Sequence, residues 1–137
     1  MVKFIFCLML GMILNDFSTA QSFKKELLEI EQQHKTCILA NTDSIACYRN
    51  YLWQIDSILP VILDAAKDNI PINEKSSLIQ EQISWIKKKN EFFKIQDETF
   101  KSNLADGTWK KDMIRITYQQ KAEFLLKRIK YLMKKIK

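Results

Sequence analysis

Glycine and proline are scarce here, with two of each in 137 residues. So few glycines exclude the glycine-rich loops that cradle phosphates. So little of either residue excludes the many tight turns of a stranded sheet and favours long helices. Histidine is scarcer still: His34 stands alone. One imidazole and three cysteines supply no metal-spaced Cys/His cluster, and no Ser-His-Asp set is laid out around it. Acidic pairs exist, such as Asp64 with Asp68 and Asp97 with Glu98. On helices such pairs are usually solvated surface, and acid–base chemistry needs a pocket around them. These absences argue against an enzyme, and no metal or cofactor is expected.

What the chain has is apolar content and positive charge. Hydrophobic residues make up 47%, enough for the core of one domain. Residues 1–20 read as a cleaved secretory signal: Lys3, an apolar run over residues 4–14, then Ser18, Thr19 and Ala20. That run falls short of the ~20 residues a membrane helix needs. Cys7 lies inside the run and not after a small-residue box, so no lipid anchor is expected. The domain then covers residues 21–137. Lys3 and Asp16 cancel, so it keeps the net charge of +6. It also keeps Cys37 and Cys47. An even cysteine pair in an exported chain is most simply a disulfide, here closing a loop of about ten residues. The alternative, two free thiols, needs a reducing compartment.

Four amphipathic segments follow. Phe23, Leu27, Ile30 and His34 share one face of a helix over residues 23–36. A lone histidine ending an apolar stripe reads as packed and hydrogen-bonded, in preference to a ligand or pH switch. Asn41, Thr42 and Asp43 lie in the turn and can cap the next helix. That helix covers residues 44–67 with the stripe Ile45, Tyr48, Leu52, Ile55, Leu59, Ile62 and Ala66. Pro60 falls inside it and predicts a kink. A third helix over residues 78–104, with Asn73 as a candidate cap, has the inward face Ile79, Ile83, Ile86, Asn90, Phe93, Asp97, Phe100 and Leu104. Its polar members Asn90 and Asp97 read either as lying near a bundle end or pairing with a neighbouring Lys or Tyr, or as a register-setting buried Asn. Gly107 suits the end of that helix, and Thr108 caps a fourth over residues 109–135. The last face is Tyr118, Ala122, Leu125, Ile129, Leu132 and Ile136. The expected fold is all-α, a small bundle of about four helices with one disulfide.

Three blocks resemble a family. Cys37, Thr42, Cys47, Asp56 and Leu59 follow its Cys, nine residues, Cys, Asp-x-x-Leu order. Gln82-x-x-Trp85 is similar to its Gln-x-x-Trp-x-x-x-Arg, and Thr117 with Ala122, Glu123 and Phe124 to its Thr-x-x-Arg-x-x-Glu-Leu ending. On these residues the chain resembles the LprI-like lysozyme-inhibitor N-terminal domain family over nearly all of the exported part. Lys89 stands in place of the family's Arg, Asn90 of Asp, Phe93 of a further Cys, Gln120 of Arg and Phe124 of Leu. The resemblance implies a small, exported, helical, non-catalytic protein of the periplasm or cell exterior, with a lysozyme or other envelope protein as partner.

Two surfaces are candidates for binding. One is the constrained turn with Asn41, Thr42 and Asp43, since a constrained loop loses less entropy on binding. Its structural role, stapling two helices, is an equal reading. The other is a basic stripe, Lys127, Lys130, Lys134 and Lys137, with Lys121, Arg128 and Lys135 beside it and Lys87, Lys88 and Lys89 on the third helix. Such runs are usually solvated faces; the sharper reading is attraction to anionic lipid or wall polymer. Nucleic acid is not expected for an exported chain. A basic domain meets basic lysozymes with repulsion, and the cysteine-bounded loop carries one acid, Asp43.

Overall fold

A computed structural model describes residues 18–40, 43–105, 107 and 111–136. Four helices follow one another: α1 (Thr19–Ala40), α2 (Ser44–Asn69), α3 (Ile72–Ala105) and α4 (Lys111–Met133). No strand occurs among the described residues, and none of their helices is long and apolar enough to cross a membrane. Asn41, Thr42, Thr108, Trp109 and residues 1–17 of the predicted signal over residues 1–20 lie outside the described part.

Local chemistry sets the helix ends. Ser18 opens α1, its hydroxyl oxygen accepting from the Gln21 amide at 3.3 Å. α1 thus begins four residues earlier than the stripe predicts, and it runs four further, to Ala40. The Asp43 carboxylate accepts from the amides of Ile45 and Ala46, as expected of a cap. Pro60 lies inside α2 without ending it. Asn73, by contrast, is no cap: α3 starts at Ile72, directly after Pro71, whose carbonyl accepts from the Glu74 amide. Gly107 follows α3 with φ of 65°, and its amide donates to the Leu104 carbonyl. A side chain at that φ would be strained.

Helix α2 is the centre of the bundle. It packs most widely on α4 and next on α1, while α3 lies mainly against α4. The stripes read from α1, α2 and α4 face inward. Phe23, Leu27 and Ile30 of α1 meet Ile55, Ile58, Leu59, Ile62 and Ala66 of α2 and Leu125, Ile129 and Leu132 of α4. The five largest of these with no accessible surface are Ile55, Ile62, Leu125, Ile129 and Leu132. Each contributes about 1.5–3 kcal/mol of burial.

Helix α3 corrects the sequence reading. Ile79, Ile83 and Ile86 are 46, 45 and 41% exposed, and Leu104, Asn90 and Asp97 are exposed too. The inward positions are Leu78, Gln82, Trp85, Lys89, Phe92, Phe93 and Gln96, about one residue round the helix. Of the expected face, only Phe93 and Phe100 are half-buried. Asn90 therefore sets no buried register, whereas Asp97 pairs with Lys121 at 2.5 Å.

Candidate functional site

The α3–α4 seam gathers several motif residues. Arg128 of α4 is buried, its side chain 6% exposed. Its Nε donates to Gln82 Oε1 at 2.9 Å and its Nη1 pairs with Glu81. Tyr131 completes the set, donating from its hydroxyl to Glu81 Oε2 at 2.8 Å. The guanidinium lies over the rings of Trp85 and Tyr131, at 5.6 and 4.9 Å, and Nη2 has no hydrogen-bond partner. Partial burial pushes the Glu81 carboxyl up. Hydrogen bonds from Arg128 and Tyr131, with the charges of Arg128 and Lys135, outweigh this and hold it below its ordinary range.

Further along the seam Phe124 stacks on Trp85 and Phe92, with centroids at 5.7 and 4.8 Å. Lys121 pairs with Asp97 and sits over the Phe93 ring. Asp56 of α2 pairs with Lys89 at 3.6 Å, so two motif blocks meet across α2 and α3. Leu59 is core. Thr117 and Glu123 stay local: the Thr117 hydroxyl donates to the Met113 carbonyl, and Glu123 accepts from Gln119. The seam joins Gln82 and Trp85 to Arg128. Thr117 borders the seam beside Asp97, Phe100 and Lys121, and Glu123 borders it beside Phe92, Gln96 and Phe124.

The disulfide joins Cys37 of α1 to Cys47 of α2, with Cα atoms 5.7 Å apart. Beside it His34 stacks on Tyr51 at 4.2 Å and meets the edge of Tyr48 at 4.7 Å. Burial lowers its pKa below the ordinary 6.5, opposed by a hydrogen bond with the Cys47 backbone. The packed reading of His34 holds, although its Nδ1 is buried without a partner.

The predicted basic face divides. Lys121 and Arg128, expected beside the solvated stripe, are buried in the seam. Lys135 is half-buried over Tyr131, and Lys89 is half-buried against Asp56. Lys127, Lys130 and Lys134 are exposed, as expected of a stripe, and the Lys137 side chain lies outside the described residues. Lys130 and Lys134 border a groove of about 460 Å³ between α1 and α4. Leu27, Leu28 and Met133 form its floor, and Lys24 and Glu31 complete its border. Asp64 and Glu98, two of the four acids singled out in sequence, pair with Lys67 and Lys94 on their own helices. No group of three or more His, Cys, Asp or Glu among the described residues could hold a metal.

The sequence reading missed Arg128 and Glu81 as partners, and Lys24, Leu28 and Met133 as groove residues. A signal existed for the first: Lys121, Leu125, Arg128 and Leu132 are spaced four, three and four apart, which puts both cations on the edge of the buried stripe. The groove has no such signal, because it is built from opposite ends of the chain. No family model, curated protein or solved structure matches the chain.

Proposed function

We propose that the chain is an exported, non-catalytic binding protein of the cell envelope, similar in its motif residues to LprI-type lysozyme inhibitors. The disulfide supports an oxidising compartment. The resemblance supplies a lysozyme, or another envelope protein, as one class of partner. The roles of Asp56, Leu59, Gln82 and Trp85 in holding helices together are those expected of motifs that specify a fold. Asp43, the one acid of the constrained loop, is engaged in capping α2.

One observation favours a second reading, association with anionic lipid or wall polymer. Lys24, Lys130 and Lys134 make no ion pair among the described residues, while Lys121 and Arg128 of α4 are neutralised by acids. Unpaired, exposed cations on one face are what an anionic surface selects.

Lysozyme activity on cell-wall substrate, with a panel of basic and acidic lysozymes, separates the readings. Dose-dependent inhibition lost on mutating Asp43 supports the protein partner. No inhibition, together with sedimentation on phosphatidylglycerol vesicles or wall polymer that falls steeply with salt, supports the anionic surface. Neither activity sinks both.

A further inference from the structure

We infer that the groove between α1 and α4 binds a single-chain anionic amphiphile. The acyl chain lies on Leu27, Leu28 and Met133, and the head group lies among Lys24, Lys130 and Lys134. The inference rests on the reading that the basic face engages anionic envelope material, and it names the site and ligand class.

Three observations converge. The first is wet apolar surface beside the core: Leu28 is 65% exposed although its neighbour Leu27 is buried. Met133 is half-buried next to them, and its flexible thioether adapts to chains of different shape. The second is charge. Lysines from two helices border the groove against one acid, Glu31, and among the described residues none of the three is held by a carboxylate. The third is size: about 460 Å³ lies within the ordinary range for small-ligand sites.

The combination selects the ligand. An inorganic anion or a polar polymer would use the lysines and leave Leu28 in water. A neutral apolar molecule would use the floor and leave three like charges facing each other. An amphiphile with an anionic head satisfies both. The neighbouring groove between α1 and α2 serves as an internal contrast. It has about 310 Å³ and is bordered by Glu26, Glu29, Gln33, Gln54 and Ser57, with no cation among its described lining residues; an anionic head group has no lining partner there.

The test uses protein expressed from the full chain and purified with its disulfide formed. Titration with dansyl-undecanoate below its micelle concentration should saturate at one per chain. Laurate and lysophosphatidylglycerol should each displace it, and comparing them distinguishes a free fatty acid from a lysolipid. Lysophosphatidylcholine of equal chain length should be at least about tenfold weaker, and Lys130→Glu with Lys134→Glu should weaken dansyl-undecanoate by at least about tenfold. Leu28→Glu should do the same without changing the circular dichroism or melting temperature, since Leu28 is already largely in water.

The inference is overturned if no monomeric amphiphile saturates the protein. It is equally overturned if Leu28→Glu and the lysine reversals leave the affinity unchanged. Phosphatidylglycerol vesicles form a separate arm. Vesicle binding without monomer binding keeps the surface reading and removes the groove. Monomer binding without vesicle binding keeps the groove and removes the surface.

Discussion

Helix α4 carries cations of two kinds on two of its sides. Toward α3, Arg128 and Lys121 are buried, and each meets an acid and an aromatic ring. Toward α1, Lys130 and, in the turn just past the helix end, Lys134 are exposed, border an apolar floor and make no ion pair among the described residues. Composition counts all four alike. A buried cation is tolerated only when paired and hydrogen-bonded, so the first pair belongs to the fold. The second pair makes no demand on the fold and is free to meet an outside anion.

Breaking the seam should have the largest effect. Arg128→Ala removes the partner of Glu81 and Gln82 and the cation over Trp85 and Tyr131. Glu81 is 40% exposed and regains some water, so the loss should fall near the low end for a broken buried pair, about 3 kcal/mol. Urea unfolding measures it. A loss below about 1 kcal/mol would place Arg128 with the solvent-facing cations and erase the distinction.

The disulfide should come next and act on the other side. Cys37→Ser with Cys47→Ser opens a loop of ten residues, and the chain-entropy model gives a loss of about 2–3 kcal/mol. The bond ties α1 to α2, and α1 supplies one wall of the groove. Reduction should therefore weaken binding in the groove while the aromatic stack of Phe124 with Trp85 is retained. Near-ultraviolet circular dichroism alongside a ligand titration reads both.

Acid should divide the two sides in a third way. His34 has a lowered pKa, so the unfolded chain binds its proton more tightly. The resulting stability is present above 6.5 and is lost as the pH falls below that value toward the folded pKa. Glu81 is also lowered, and its contribution is present above the ordinary carboxylate pKa and lost as the pH falls through the lower folded value. Acid unfolding should thus show a shallow first limb, reduced by His34→Gln, and a steeper loss at lower pH, reduced by Glu81→Gln. A single limb unaffected by His34→Gln would remove the histidine from this account.

How much of this was legible follows from which contacts are local. The stripes of α2 and α4, the Asp43 cap, the cysteine pair and Gly107 are properties of neighbours within a turn or two, and the structure agrees with them. Helix α3 was misread because it presents two stripes. Ile79, Ile83 and Ile86 make a clean apolar row, whereas the buried row is interrupted by Gln82, Lys89 and Gln96. Periodicity chooses the cleaner row. The fold chooses the mixed one, because Arg128 needs Gln82 and Glu81, and Asp56 takes Lys89. Those needs arise in other helices and leave no mark on the local pattern. The groove was hidden for the same reason: Lys24 and Lys134 become neighbours only once α1 and α4 pack.

The smallest expected effect bears most directly on the contrast. Lys130→Ala or Lys134→Ala should change stability by no more than about 0.5 kcal/mol. The sign should be stabilising at low salt, because each substitution removes a like charge from beside Lys24 and the other groove lysine. Screening is short-ranged, with a Debye length of about 10 Å at 0.1 M falling to about 3 Å at 1 M. Raising the salt should therefore stabilise the native chain slightly and the variants less. Pairs shielded from solvent respond little to salt, so Arg128→Ala should keep its full loss at both concentrations. If the lysine variants are instead destabilised, and more so at low salt, their ammonium groups are held by acids after all. The groove would then be a second seam, with no charge left over for a ligand.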